Sequence, residues 1–306
     1  MGNIIHIGAN KTGSTTLQRC LFSKSDDLIY LGEDCNGYEH YKSLLDSLVS
    51  DDDIHFCWDD TRKLFDMFTS LCGTKTFIYS NEDIMTSRVP ALCAKRLCRL
   101  LPDAQILLVI RNQLTAISSW YANHGAYLKM VPRRYWRRYV SFDDWMQYCV
   151  EFMKYSPLES FLYHRILSMY KDVFGEGKIH VLFFEDFVEN QLLFINKLSN
   201  ILNLNPDVAK KFLMGKHERP RNTMRQIKYN QFRSFFLYNI PLSEYIPFGR
   251  TFKQIVNDFI ALGKPANIHI SEHWENILIE LYGEDNKKLS DEYSLPLAEY
   301  GYPIQL

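Results

Sequence analysis

Residues 4–18 read Ile4-Ile5-His6-Ile7-Gly8-Ala9-Asn10-Lys11-Thr12-Gly13-Ser14-Thr15-Thr16-Leu17-Gln18. A short apolar run of β type turns through two glycines into a Ser/Thr-rich helix start, so the chain opens as strand, tight loop and helix. That loop suits a bound phosphate. Backbone N–H groups at the turn and helix start point at an anion, and Lys11 adds a full positive charge. The hydroxyls of Thr12, Ser14, Thr15 and Thr16 are further donors. An ordinary strand–turn–helix with one capping hydroxyl needs neither a lysine between two glycines nor four hydroxyls. The order is not that of a Walker A loop, which sets Gly-Lys-Ser/Thr after a four-residue spacer. Here Lys11 precedes its nearest glycine, Gly13.

A second segment has a comparable form. Ala104-Gln105-Ile106-Leu107-Leu108-Val109-Ile110 is a continuous apolar run, the pattern of a strand buried on both faces of a parallel sheet. It leads directly into Arg111-Asn112, with Asn112 suited to a helix N-cap and Leu114, Ile117 and Tyr121 at helical spacing. Arg111 therefore stands at the carboxyl end of a strand, where open α/β sheets bind ligands. Ser119 lies about two turns along the helix, roughly 10 Å from its start. Arginine offers bidentate charge-assisted bonds to a phosphate, and serine one oriented donor. Taken singly, a surface arginine and a helix serine bonding its own backbone explain these residues as well.

Together the two segments resemble the sulfotransferase superfamily that uses 3′-phosphoadenylyl sulfate (PAPS). Lys11-Thr12-Gly13-Ser14-Thr15 is similar to its 5′-phosphosulfate loop, and the strand–Arg111-Asn112–Ser119 segment to its 3′-phosphate motif. The resemblance covers roughly residues 3–205. It implies an α/β fold, a P-loop-like three-layer sandwich with a central, mostly parallel five-stranded sheet and a helical C-terminal flank. It implies transfer of a sulfuryl group from PAPS to a hydroxyl, on a carbohydrate or glycolipid, with adenosine 3′,5′-bisphosphate (PAP) as product and no metal. Thr16 completes the expected 5′ set. The stretch Lys216 to Thr223 occupies the place where the family closes a basic loop over the nucleotide. Arg219, Arg221 and Asn222 are its candidates for the adenine or the 3′-phosphate, and Lys228 is a rival.

The resemblance also places a catalytic base shortly after the strand Thr76–Ser80, which carries that role to Glu82. A free carboxylate is a weak base, so partial burial is needed to raise its pKa. Asn81, Glu82 and Asp83 equally suit a helix start and its dipole, and Asp83, His55 and His124 remain rival bases. Glu185 and Asp186, after the strand candidate Ile179–Phe184, suit either a helix cap or the orientation of groups at the nucleotide site.

Five strand candidates, 4–8, 28–31, 76–80, 106–110 and 179–184, alternate with helical stretches, which argues for one parallel α/β sheet. Gly175 stops the helix before the fifth. Residues 206–306 read as a mainly helical flank or lid of a single domain spanning 1–306. A hydrophobic fraction of 46% over 306 residues supports a sizeable core. The net charge of −1 argues against a nucleic-acid partner. No run approaches the ~18 apolar residues of a membrane span, and a strand starting near residue 3 leaves no room for a signal peptide, so a cytoplasmic enzyme is expected. The seven cysteines include no C-x-x-C pair and read as reduced core thiols, and the nine histidines show no metal-ligand spacing. The locally basic stretch Lys129, Arg133, Arg134, Arg137 and Arg138, interleaved with Tyr135, Trp136 and Tyr139, is either a solvated helix face or an acceptor site for an anionic or sugar substrate. A P-loop-like nucleotide kinase or NTPase is disfavoured because the strand 106–110 ends in Arg-Asn instead of a magnesium-holding Asp. A non-catalytic nucleotide- or glycan-binding module is the remaining alternative.

Overall fold

The computed structural model describes residues 2–125, 140–216, 222–236 and 249–305. Five strands form, β1 Asn3–Ile7, β2 Leu28–Gly32, β3 Thr76–Asn81, β4 Gln105–Ile110 and β5 Ile179–Phe183. The main helices, in chain order, are α1 Ser14–Thr16, α2 Tyr38–Ser50, α3 Trp58–Ser70, α4 Pro90–Leu100, α5 Gln113–Trp120, α6 Phe142–Glu151, α7 Tyr163–Phe174, α8 Phe184–Glu189, α9 Gln191–Leu202 and α10 Pro206–Leu213. Helices Met224–Phe236, Gly249–Ala261 and Glu272–Tyr293 follow.

The chain divides into two compact units. The first comprises Met1–Asn112, Ser160–Arg219 and Leu281–Leu306, and the second Gln113–Glu159 and Pro220–Glu280. All five strands lie in the first unit, in the order β2-β3-β1-β4-β5, and every pairing is parallel. The apolar runs are continuous because both faces are covered. On one face Ile4, Ile78, Leu107, Val109 and Leu182 pack with Leu17, Leu21, Phe194, Leu198 and Leu213 from the helices. On the other, Phe65 of α3 meets the rings of Phe77 and Tyr79 edge-on at 6.1 and 5.4 Å. The expected three-layer sandwich is the fold observed.

Helix ends follow local chemistry. Gly175 closes α7 at φ 93°, where a side chain is disfavoured. Arg96 of α4 was not legible as a core residue, yet it is only 1% exposed. Its guanidinium donates to the carbonyls of Leu48 and Asp51 at 3.2 and 2.7 Å, pairs with Asp53 at 3.0 Å and stacks over Phe56. It thereby satisfies the orphan carbonyls at the end of α2. No cysteine forms a disulfide, but Cys57 is exposed, so the thiols are not uniformly core groups. Among the described residues no helix is long and apolar enough to cross a membrane.

The second unit has its own core. Tyr121 donates to the Val140 carbonyl at 2.7 Å and packs against Phe142 and Trp145, while Trp274 Nε1 donates to Asp143 at 2.7 Å.

In the first unit, His6 is fully buried in β1. Ser80 Oγ accepts from Gln18 Nε2 at 3.0 Å and lies 2.7 Å from His6 Nδ1. Burial lowers the His6 pKa from 6.5 to about 4. Between these values the unfolded chain takes up a proton that the folded chain refuses, so stability falls as pH drops through this window, by about 3 kcal/mol in all. Burial raises the Glu185 and Asp285 carboxyls, whose contribution has the opposite sign and is lost as pH rises. Urea unfolding of wild type and His6→Gln at pH 7, 6, 5 and 4 separates the two effects, because both proteins share the carboxyls. The acid loss should be markedly smaller in His6→Gln; parallel profiles would refute the assignment.

Candidate active site

The order of strands places three chain segments side by side at the carboxyl edge of the sheet. β1 pairs with β3 on one side and with β4 on the other, with Ile7 opposite Asn81. The Gly8–Gly13 loop, Glu82 and Arg111 therefore leave adjacent strand ends.

Sterics shape the loop closely. A Cβ on Gly8 would stand 3.0 Å from Ser14 Oγ and 3.1 Å from Glu82 Cγ, so glycine lets the candidate base approach the loop. Lys11 has φ 68° and Gly13 φ 82°, both left-handed. A Cβ on Gly13 would also lie 3.3 Å from the Phe184 ring. Thr12 Oγ1 and Ser14 Oγ donate to the Ala9 carbonyl at 2.6 and 3.2 Å. In this arrangement those two hydroxyls hold the loop in shape. The Gly13 carbonyl accepts from Thr16 N and Leu17 N at 2.9 and 3.1 Å, so the amides of Ser14 and Thr15 precede the first intrahelical bond. Thr12, Ser14, Thr15 and Thr16 are all buried, and Lys11 is half-buried.

Thr15 reaches across to the candidate base, donating from Oγ1 to Glu82 Oε1 at 3.4 Å. Glu82 is half-buried and opens a short 3₁₀ turn, Glu82–Thr86, whose N-cap is Asn81 accepting from Asp83 N at 2.8 Å. The helix-start reading of Asn81 is thus correct, and it coexists with the placing of Glu82 beside the loop. Asp83 and His55 are exposed, and the side chain of His124 lies outside the described residues.

Arg111 ties the second motif to the first. Its Nη1 donates to the Lys11 carbonyl at 2.8 Å, and its guanidinium lies 4.6 Å from the centroid of the Phe184 ring. Tyr163 brackets its backbone, accepting from Arg111 N at 3.3 Å and donating to Arg111 O at 2.9 Å. Glu185 fixes the next residue, Oε1 accepting from Asn112 N at 2.9 Å and Oε2 from the Tyr302 hydroxyl at 3.1 Å. Burial raises the Glu185 carboxyl, against the opposing pull of the Asn112 N–H, the Tyr302 hydroxyl and Arg111. Asp186 accepts from Tyr300 and pairs with Lys197 at 2.9 Å. Asn112 Nδ2 donates to the carbonyls of Tyr300 and Gly301 at 3.1 and 2.7 Å. Of the two roles open to Glu185 in the sequence, orientation of the β4 end is the one its bonds display. Phe184, Tyr163, Tyr300 and Tyr302 carry no local signal that would have singled them out.

The remaining candidates lie elsewhere in the chain. Ser119 is buried on α5 in the second unit. Asn222, in the same unit, donates from Nδ2 to the Ala122 carbonyl at 3.2 Å, and its own carbonyl accepts from Ala266 N at 2.8 Å. Lys228 is exposed on helix Met224–Phe236. Arg219, Arg221 and the basic stretch 129–138 with Tyr139 lie outside the described residues.

The left-handed turn gives a direct test. Gly13→Ala forces a side chain into a backbone region that costs about 1–2 kcal/mol and presses on Phe184. Gly177→Ala adds a Cβ that meets nothing within 4 Å. Urea unfolding should show Gly13→Ala destabilised by that amount and Gly177→Ala near wild type; equal stabilities would contradict the loop geometry.

The sulfotransferase domain family matches the chain over residues 2–244. Among solved structures, a sulfotransferase from Alicyclobacillus acidocaldarius is similar over 98% of this chain and 99% of its own, with a TM-score of 0.54 at 15% identity. The sulfotransferase domain from the curacin biosynthetic pathway is similar over 79% of this chain and 99% of its own, with a TM-score of 0.39 at 11% identity. The first likeness bears on the fold alone. No curated protein matches the chain. The family match takes in all five strands, the Lys11 loop, Glu82 and Arg111, and by it the chain belongs to the sulfotransferase domain family.

Proposed function

We propose that this sulfotransferase takes its sulfuryl group from PAPS and passes it to a hydroxyl of a carbohydrate or glycolipid acceptor. The observation that carries the donor is the bond from Arg111 Nη1 to the Lys11 carbonyl. It joins the two segments that a nucleotide phosphorylated at both 3′ and 5′ positions requires. Lys11, Gly13 and the helix-start amides of Ser14 and Thr15 hold the 5′-phosphosulfate, with Thr12 and Thr16 shaping and closing the loop. Arg111 holds the 3′-phosphate, and Ser119, Arg221 and Asn222 are the further nucleotide-binding candidates that the sequence resemblance supplies.

In the reaction the acceptor oxygen attacks sulfur while its proton passes to the Glu82 carboxylate. The bond from sulfur to the bridging oxygen breaks, and its electron pair remains on the departing phosphate of PAP. Lys11 and the loop amides stabilise that charge where it develops. Glu82 is suited to the base because it sits against Gly8 and Thr15, beside the loop that holds the reacting group. The scheme uses no metal ion.

Two measurements test this. Calorimetry of PAP binding without magnesium should give binding that Arg111→Ala weakens by about 1.5–3 kcal/mol, the worth of a hydrogen bond to a charged group. Binding no tighter than that of AMP would refute the 3′-phosphate site. Glu82→Gln should keep PAP affinity while losing at least ~100-fold in kcat, the usual contribution of general-base catalysis. Unchanged turnover would remove Glu82 from the chemistry.

A further inference from the structure

Residues 295–305 follow helix Glu272–Tyr293 and belong to the first unit. Several contacts fix their course. Leu297 is fully buried, and Tyr302 is only 4% exposed. The carbonyls of Leu295 and Pro303 accept from Ser290 Oγ and Asn286 Nδ2, each at 2.7 Å. A Cβ on Gly283 would stand 2.7 Å from Gln305 N, so glycine there lets the segment pass close to the helix. Gly301, at φ 67°, takes the left-handed conformation just before Tyr302.

The segment spends its polar groups on the end of β4 and on α8. Asn112 Nδ2 donates to both the Tyr300 and the Gly301 carbonyl, the Tyr302 hydroxyl donates to Glu185 Oε2, and the Tyr300 hydroxyl donates to Asp186. The Tyr300 ring stacks on Phe183, the last residue of β5, with centroids 4.4 Å apart, and Tyr302 meets the same ring edge-on at 6.0 Å. Both oxygens of Glu185 are thus engaged, Oε1 by Asn112 N and Oε2 by Tyr302. Asn112 is held by its backbone N–H and its side-chain amide at once.

The residue before Asn112 is Arg111. Fixing Asn112 removes the soft dihedrals that would otherwise let the chain leave β4 in several directions. A charge-assisted bond from a guanidinium to a phosphate depends on angle as well as distance. A phenylalanine at 302 would fill the same volume as the tyrosine, so the contribution of the hydroxyl is its bond to Glu185.

We propose that residues 295–305 are part of the nucleotide site: Tyr302 acting through Glu185, and the Tyr300 and Gly301 carbonyls acting through Asn112, position Arg111 and so set the preference for a nucleotide phosphorylated at the 3′ position. The inference rests on Arg111 holding the 3′-phosphate. Tyr302 is a positioning residue, two hydrogen bonds removed from the arginine's neighbour and in no contact with the nucleotide.

Calorimetry of PAP and of 5′-AMP on wild type, Tyr302→Phe and Tyr30→Phe tests this. The two nucleotides differ only in the 3′-phosphate, so the ratio of their affinities isolates that group. Tyr302→Phe should lower the ratio about threefold to tenfold, the worth of one hydrogen bond, with AMP affinity unchanged. A tyrosine that served stability alone would move both nucleotides alike. Tyr30→Phe removes a comparable bond, from the Tyr30 hydroxyl to the Glu33 carbonyl at the opposite edge of the sheet, and should leave the ratio as in wild type. Glu185→Gln keeps an oxygen for Asn112 and an amide for the Tyr302 oxygen, so it should retain most of the ratio that Glu185→Ala loses. Hydrogen exchange without nucleotide gives an independent reading: peptides containing Asn112 should exchange faster in Tyr302→Phe, while those of β1 stay as in wild type. An unchanged ratio in Tyr302→Phe, an equal loss for PAP and AMP, a Glu185→Gln as impaired as Glu185→Ala, or exchange at Asn112 indifferent to Tyr302→Phe would overturn the inference. A wild type that binds PAP no tighter than AMP would instead overturn the reading of Arg111.

Discussion

The central place of β1 is the constraint on which the rest of the site depends. A parallel sheet directs all its carboxyl ends to one edge, but it does not say which ends are neighbours. The order β2-β3-β1-β4-β5 does. With β1 between β3 and β4, the Lys11 loop is flanked by Glu82 on one side and Arg111 on the other. Any position for β1 other than between β3 and β4 would separate the lysine from the arginine or from the carboxylate. The burial of β1 on both faces makes that position hard to change, since Ile4, Ile5 and Ile7 are wholly buried.

Around that frame, the close contacts are made by small or flat groups. Glycine at position 8 admits Glu82, and glycine at 13 admits the Phe184 ring. Phe184 in turn lies against the Arg111 guanidinium. The arginine is held by a carbonyl, an aromatic face and a backbone fixed by Tyr163 and Glu185. Such a group loses little further freedom when it meets an anion, which is how a preformed site gains affinity.

Much of this was legible in the sequence. The five strands announce themselves because strands buried on both faces become unbroken apolar runs, and β4 is the plainest case. The Lys11 loop was legible because its glycines, lysine and hydroxyls are consecutive. The ties around Arg111 were not, because Glu185 lies 73 residues from Asn112 and Tyr302 lies 117 residues beyond Glu185. No local pattern marks a tyrosine that serves a carboxylate so far away. Arg96 shows the same limit from the other direction. On a helix rich in basic residues it resembles a solvated charge, and only the folded chain reveals the carbonyls of α2 that it satisfies. Glu82 was half legible: its position after β3 was visible, whereas its closeness to Gly8 was not.

The bonds from Asn112 to Tyr300 and Gly301 have a consequence for the order in which the molecule assembles. They close loops of 188 and 189 residues. Contacts of such span cost chain entropy that nearer contacts must first offset, so they belong late in folding. The strands and the Lys11 turn draw on shorter contacts. During refolding, the sheet should therefore mature before the arginine end of the site acquires its final geometry. For a time the chain would hold a native-like core while the surroundings of Arg111 were still unfinished, and the geometry at the end of β4 would lag behind the sheet that supports it.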